Sequence, residues 1–247
     1  MNALVLNLSA YRFVALADLP ALRERVFDSA RAARLRGTVL LADEGINLFV
    51  AGAPDAARGW LDGLRAEPGL SALDAKESFS ATVPFRHLRV KIKREIIRMN
   101  QPQVRPGSAR APAVDAPTLA RWLDAGRDDA GRPLALLDTR NAFEVDHGAF
   151  AGAIDWRLER FSQFPDAARA YRNTLAGHTV VTYCTGGIRC EKAALALQTL
   201  GVEHVVQLDG GILSYLEQVP GARHWRGRCF VFDARESLDA NLAAAAA

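Results

Sequence analysis

Along the first hundred residues the apolar positions change rhythm in the order expected of a β-α-β-β-α-β unit. Residues 3–15 read as an opening strand. From 18 to 36 the apolar residues Leu22, Val26 and Ala30 recur at helical spacing, and Asp18 stands where its carboxylate can cap the first free N–H groups. Two apolar runs, 38–42 and 46–50, flank Asp43-Glu44-Gly45, a short turn with a glycine for positive φ, which predicts a hairpin. A second helix fits 54–66. The segment Leu88-Arg89-Val90-Lys91-Ile92-Lys93 then alternates strictly, predicting a strand over 87–93 with one apolar face in the core and one basic face in water. That strand would complete a ferredoxin-like (acylphosphatase-like) α+β sheet.

The pattern breaks at 101–117, where Pro102, Pro106, Gly107, Pro112 and Pro117 predict a linker. Beyond it, continuous apolar runs at 134–138, 179–183 and 204–208 alternate with helical stretches at 162–176 and 190–200. Such interleaving predicts an α/β domain whose central parallel sheet is covered on both faces. The expected division is a basic domain over 1–100, a linker over 101–117, a second domain over 118–225, and a C-terminal strand and tail over 226–247. The alanine-rich end, 242–247, is expected to fray.

Composition adds limits. With 247 residues, 49% hydrophobic and 24% charged, the chain has the makeup of a soluble globular protein, and no apolar run approaches a membrane span of about 20 residues. Its N-terminus lacks the features of a secretory signal, so a cytoplasmic location is expected. Three cysteines do not form a disulfide framework, and a reducing compartment would keep them as thiols. The net charge of +3 is small, but Arg86, Arg89, Lys91, Lys93, Arg94 and Arg98 crowd one segment with only Glu95 against them. A segment of that charge can meet phosphate.

The strongest chemical signal is Cys184-Thr185-Gly186-Gly187-Ile188-Arg189-Cys190, set between an apolar strand and a helix-forming run. Glycines at 186 and 187 let the backbone turn several N–H groups inward, while the helix N-terminus and Arg189 add positive charge. These are the surroundings that turn a cysteine into a thiolate. Asp138 and Cys184 each end an apolar run, so both are expected on the carboxyl rim of the sheet, where ligands of such folds gather.

The segments Asp138-Thr139-Arg140-Asn141 through Glu144, 148–153, the Cys184 loop and Asp209-Gly210-Gly211-Ile212 together resemble a rhodanese domain. Adding Glu44-Gly45-Ile46-Asn47, the basic strand with Glu95-Ile96-Ile97, and Gly227 to Asp233, the chain is similar over about 1–236 to bacterial rhodanese-domain tRNA uridine hydroxylases. That resemblance implies an oxygen-dependent oxidation of the wobble uridine, tRNA position 34, to 5-hydroxyuridine, with Cys184 as the essential residue. It also implies tRNA, gripped by its anticodon arm, as the partner of Arg86, Arg89, Lys91, Lys93 and Arg98. Many relatives carry a cysteine-rich C-terminal extension, whereas this sequence ends in alanines.

Other readings stand beside it. A rhodanese loop can carry a persulfide on its cysteine, with the terminal sulfur held by loop amides and Arg189, which would make the chain a sulfurtransferase serving tRNA thiolation. A catalytically silent RNA-binding module is a third reading, opposed by the intact Cys184 and Arg189. Phosphatases of the same fold place five residues between cysteine and arginine; here four intervene, so the cage is small for phosphoryl transfer. The resemblance implies molecular oxygen as co-substrate; no metal triad or dinucleotide loop is evident in the sequence, so no cofactor or electron donor is assigned. Cys184 could add to C6 of uridine or pass through an oxidised sulfur. Cys190 reads as a packed thiol or a resolving one, and Cys229 as structural. Asp138, Arg140 and Arg157 are candidates for the pocket rim.

Overall fold

The computed structural model describes residues 4–107 and 109–244, and the chain falls into two compact units: Met1–Arg98 with Phe232–Arg235, and Met99–Val231 with Glu236–Ala247. The first unit contains β1 (Val5–Phe13), α1 (Leu19–Ala32), β2 (Arg36–Ala42), β3 (Gly45–Gly52), α2 (Pro54–Arg65), β4 (Ala75–Ser80) and β5 (Leu88–Ile92). Its sheet runs β4-β1-β3-β2-β5. The first four strands pair antiparallel in the ferredoxin-like arrangement, and β5 joins parallel to β2. The basic strand is therefore an addition at the edge. The strand that closes the split sheet is β4, which the hydropathy pattern did not mark, because Lys76, Glu77 and Ser78 occupy an edge that buries little apolar surface.

Local chemistry explains the frame. Asp18 accepts from the Ala21 N–H to cap α1, whose Leu22, Val26 and Ala30 are buried. Gly45 follows the two-residue turn at φ 146°, and a Cβ there would lie 2.0 Å from the Arg12 carbonyl oxygen, so β1 and β3 approach closely only because this residue is glycine. One face of the sheet, with Leu6, Leu8, Val39, Leu41, Ile46, Leu48, Val50 and Val90, packs with the two helices to form the core. At the β5 edge, Arg23 Nε donates to the Val90 carbonyl oxygen at 3.3 Å.

The second unit contains β6 (Ala113–Val114), α3 (Ala116–Ala125), β7 (Leu134–Asp138), α4 (Ala142–Val145), β8 (Gly148–Phe150), β9 (Ile154–Asp155), α5 (Phe164–Tyr171), β10 (Thr179–Tyr183), α6 (Ile188–Thr199), β11 (Val205–Leu208), α7 (Gly211–Gln218), β12 (Trp225–Gly227), β13 (Cys229–Phe230) and β14 (Ser237–Leu238). The parallel sheet runs β6-β11-β10-β7-β9, and Tyr183 pairs with Asp138, so β7 and β10 end side by side. Every residue of β10 is buried.

Three expectations are corrected. The proline-rich stretch is not wholly a linker: Ala113–Val114 is an edge strand and Pro117 sits in the first turn of α3, two places where a missing N–H is tolerated. The C-terminal segment 226–247 is divided, with Phe232–Arg235 clustering with the first unit, where the Ala234 N–H donates to the Pro84 carbonyl and Arg235 to the Ser78 hydroxyl. The alanine-rich end is anchored at its start: Leu242 packs on the core of the second unit, and the Asp239 carboxylate accepts from the Asn241 and Ala243 N–H groups. Residues 245–247, also expected to fray, lie outside the described residues. No helix among the described residues is long and apolar enough to cross a membrane.

Candidate active site

Cys184 leaves the end of β10, and three residues later Gly187, at φ 107°, turns the chain into α6. No L side chain adopts that conformation easily, which is what the second glycine of the pair provides. The turn aims the Gly187 N–H at the Cys184 Sγ, 3.2 Å away. Across from the same sulfur lies the Cys190 Sγ at 3.9 Å, whose thiol also donates to the Gly187 carbonyl oxygen at 2.9 Å. The carbonyl is the nearer acceptor while Cys184 is neutral. Once Cys184 ionises, its charge competes for that proton.

Both cysteines are fully buried, yet they are driven in opposite directions. Burial pushes the Cys184 thiol up, but the Cys190 thiol, the Arg189 guanidinium and the backbone N–H groups of Cys190 and Arg189 together outweigh it and bring it down to about 6. Cys190 is held well above the ordinary thiol range, by burial first and then by the neighbouring Cys184 sulfur. One sulfur is thus an anion near neutrality and the other keeps its proton.

Arg189 does not hang free over the loop. Its two terminal nitrogens donate to the Glu144 carboxylate at 2.5 and 2.8 Å, with Glu144 fully buried and Arg189 5% exposed. Glu144 comes from α4, where its Oε1 also accepts from the Asn141 N–H at 3.1 Å and caps the helix. Burial opposes the charge on Arg189, but Glu144 and then Cys184 raise its affinity for the proton, so it stays a cation.

The loop is clamped from a second side. Ile212 N–H donates to the Cys184 carbonyl at 2.9 Å and Leu213 N–H to the Thr185 carbonyl at 3.0 Å, so the first turn of α7 hydrogen-bonds the loop's carbonyls. A Cβ on Gly211 would stand 2.4 Å from the Cys184 carbonyl oxygen and 2.9 Å from the Gly187 nitrogen. Gly211 therefore serves the close approach of this turn to the loop, and Gly210, at φ 67°, turns the chain into α7.

The predicted loop residues, Thr185, Gly186, Gly187, Ile188 and Cys190, are thus brought together with Cys184 and Arg189. The rim candidates are placed differently from one another: Asp138 ends β7 opposite Tyr183 and adds to the charge around Arg189, and Arg140 lies beside it, but neither is at a surface. Asp138 and Arg140 end up inside the domain, 1% and 0% exposed, because a charge pair so deep must satisfy itself. Arg140 donates to both Asp138 oxygens, to the Glu144 carbonyl and to the Gly148 carbonyl, with its guanidinium 5.4 Å from the Trp225 ring. This corrects their placement from an exposed rim to the interior, where Asp138 closes β7 level with Tyr183 and Arg140 ties it to the Glu144 and Gly148 carbonyls. Arg157 is on the surface, its side chain 58% exposed and ion-paired with Asp146 and Asp155. Cys229 is buried against the same core as Phe150, Tyr183 and Tyr215, and burial pushes its thiol up to about 12.

Sequence reasoning missed Glu144 and Gly211 as site residues. Asn141-x-x-Glu144 carries the spacing of a capping box, a signal for a helix start that says nothing about the arginine 45 residues away. Among the proposed phosphate contacts, Arg89 and Lys91 lie on β5 and Arg86, Lys93 and Arg98 in the flanking segments, and all five are exposed.

Residues 5–96 match a family described as UPF0176 acylphosphatase like domain, and residues 117–218 match the rhodanese-like domain. A protein of Bordetella petrii named tRNA uridine(34) hydroxylase is 61% identical over 243 residues, 98% of this chain and 96% of that protein. One of the same name from Variovorax paradoxus is 58% identical over 243 residues, 98% of this chain and 92% of that protein. Among solved structures, a rhodanese-like domain from Anabaena is 23% identical, with a TM-score of 0.38 over 47% of this chain and 79% of that one.

Proposed function

The chain belongs to the tRNA uridine(34) hydroxylase family, and from that premise we propose that Cys184 is the reacting group of an oxygen-dependent oxidation of uridine 34 to 5-hydroxyuridine. It is an enzyme, and its substrate is tRNA. The observation that carries the assignment of roles is the Cys184 sulfur itself, fully enclosed, hydrogen-bonded by the Gly187 N–H and lowered to about 6.

A thiolate of that kind is a nucleophile suited to C6 of a uracil ring. Adding there, it turns C5 into an electron-rich, enolate-like carbon. C5 then takes one oxygen atom of O2; loss of the C5 proton and departure of the thiolate restore the ring, and the other oxygen atom leaves as water. The sum consumes two electrons and two protons from an external reductant, which makes the enzyme an oxidoreductase. Gly187 and Arg189 favour the sulfur as an anion at the start and as a leaving group at the end. Cys190, kept protonated, does not compete as a nucleophile.

The base must leave the anticodon loop to reach an enclosed sulfur, so the reaction requires a flipped nucleotide and some opening around Cys184. Arg86, Arg89, Lys91, Lys93 and Arg98 hold phosphates of the anticodon arm in this reading, and the cytoplasm is where tRNA and a reduced thiol meet.

Mass spectrometry of tRNA nucleosides from cells lacking the protein tests the reading. Loss of 5-hydroxyuridine derivatives, restored by the parent chain and not by Cys184→Ser, is expected. Retention of those nucleosides with loss of thiouridines would instead establish sulfur transfer from a Cys184 persulfide.

A further inference from the structure

Hydroxylation of the uracil ring consumes two electrons, and two thiols stand side by side where it would occur. The Cys184 and Cys190 sulfurs are 3.9 Å apart, and the Cys190 thiol donates to the Gly187 carbonyl oxygen at 2.9 Å. A disulfide needs a separation of about 2 Å. Rotation of the two side chains about their Cα–Cβ bonds moves a sulfur by that much, at the cost of the Gly187 contact.

The two sulfurs are unequal in the way an attacking thiolate and a resolving thiol are unequal. While Cys184 is an anion, burial and that anion hold the Cys190 proton in place. Oxidation of Cys184 to a neutral sulfenic acid removes the repulsion and leaves Arg189, whose charge favours loss of the Cys190 proton. Cys190 is thereby released for attack only after Cys184 has reacted. A sulfenic acid condenses with a neighbouring thiol to a disulfide, and Cys190 is the thiol in contact.

We propose that Cys184 and Cys190 together supply the two electrons of each hydroxylation, ending as a Cys184–Cys190 disulfide that an external dithiol reduces before the next turnover. The proposal rests on the oxygen-dependent hydroxylation of uridine 34 and adds the route of its electrons. O2 joins C5 of the Cys184 adduct as a hydroperoxide, and loss of the C5 proton with departure of the thiolate from C6 leaves 5-hydroperoxyuridine. The Cys184 thiolate then attacks the terminal oxygen: an S–O bond forms, the O–O bond breaks, and the 5-oxyanion takes a proton from solvent to become 5-hydroxyuridine. Cys190 attacks the sulfenic sulfur, the S–S bond forms, and the hydroxide expelled leaves with the Cys190 proton as water. One O2 thus yields one hydroxylated base and one water, and each sulfur gives up one electron.

The test uses the full chain, reduced, freed of reductant under argon, and then mixed with air-saturated buffer and a tRNA transcript bearing uridine at position 34. Nucleoside mass spectrometry counts 5-hydroxyuridine, and peptide mapping without reduction counts the disulfide. The parent is expected to form one of each per chain, in step, with Cys229 still a thiol, and then to stop until dithiothreitol is added. Cys190→Ser keeps a donor beside the Cys184 thiolate but cannot close the bridge. It is expected to stop after its first product with Cys184 as a sulfenic acid, captured by dimedone. Should the serine variant fold poorly, the parent's stoichiometry decides alone. Product formed with both thiols still free, or a disulfide that forms as fast on a transcript with cytidine at position 34, would overturn the electron route and leave the hydroxylation standing. A parent that made no 5-hydroxyuridine even with dithiothreitol present would overturn both.

Discussion

Arg189 and Glu144, 45 residues apart in sequence, form a two-pronged buried ion pair at 2.5 and 2.8 Å directly beside the reactive cysteine loop. The carboxylate holds the guanidinium in place and also offsets part of its charge, so the field felt at Cys184 is the remainder. Replacing Glu144 with Gln keeps the shape and removes the counter-charge. The expected cost is about 3 kcal/mol or more, typical when one member of a buried pair is lost, read from the urea midpoint. In the same variant the Cys184 thiol should titrate lower than in the parent, because the cation beside it is no longer balanced. A rise would show that Glu144 acts by positioning Arg189 rather than by its charge.

The sulfur itself should titrate near neutrality. The rate of alkylation of the full chain by iodoacetamide, followed against pH and assigned by peptide mass, should show a midpoint near 6 for Cys184 and no comparable reaction at Cys190. Cys190→Ala removes a donor to the thiolate, so that midpoint should move up. The sign for stability follows. A thiol whose pKa in the folded chain lies below its unfolded value of about 8.5 contributes stability that is fully present above that value. The contribution is lost as pH falls through about 6. Cys184→Ser should flatten that part of the stability profile, and an unchanged profile would contradict the titration assigned here.

Gly211 makes a separate prediction, because it neither reacts nor carries charge. At φ 64° and with a Cβ position 2.4 Å from the Cys184 carbonyl oxygen, alanine cannot enter without pushing the loop or α7 aside. Gly211→Ala should therefore reduce 5-hydroxyuridine formation at least tenfold and lower the thermal midpoint by several degrees, of the order expected for 1–3 kcal/mol of backbone strain. Gly201→Ala is the comparison: its φ is also positive, at 83°, but nothing lies within 4 Å of the added carbon. It should lose some stability and keep its activity.

The loop around Cys184 was legible in the sequence because its chemistry is local: strand, cysteine, two glycines and arginine follow one another along the chain. The helices and the hairpin of the first unit were legible for the same reason, through apolar spacing, the Asp18 cap and the Asp43-Glu44-Gly45 turn. Strand β4 was not, since an edge strand with Lys76, Glu77 and Ser78 buries too little to leave a periodic trace. The basic strand, which does alternate, stood in its place. The charged residues divided differently from expectation because charge alone does not state burial: Asp138 and Arg140 satisfy each other at 2.6 Å in the interior, and Arg157 finds its carboxylates outside. Glu144 was hidden behind a local role, the helix cap, that accounted for it completely.

The cations of the first unit should be readable one at a time through salt. Each phosphate neutralised by a side chain releases condensed counterions, so the logarithm of the tRNA affinity falls linearly with the logarithm of salt concentration, and removing one contact lowers the slope by about one. Arg89→Gln, Lys91→Gln and Lys93→Gln should each do so, and their combination should lower it by about three. Arg157→Gln is the control, because that guanidinium is already ion-paired with Asp146 and Asp155 on the surface of the other unit. If its slope fell as much as that of Lys91→Gln, the attraction would be a diffuse property of the net charge and not of the basic strand. If the strand variants lost affinity with the parent's slope unchanged, those residues would act through the shape of β5 and not through phosphate.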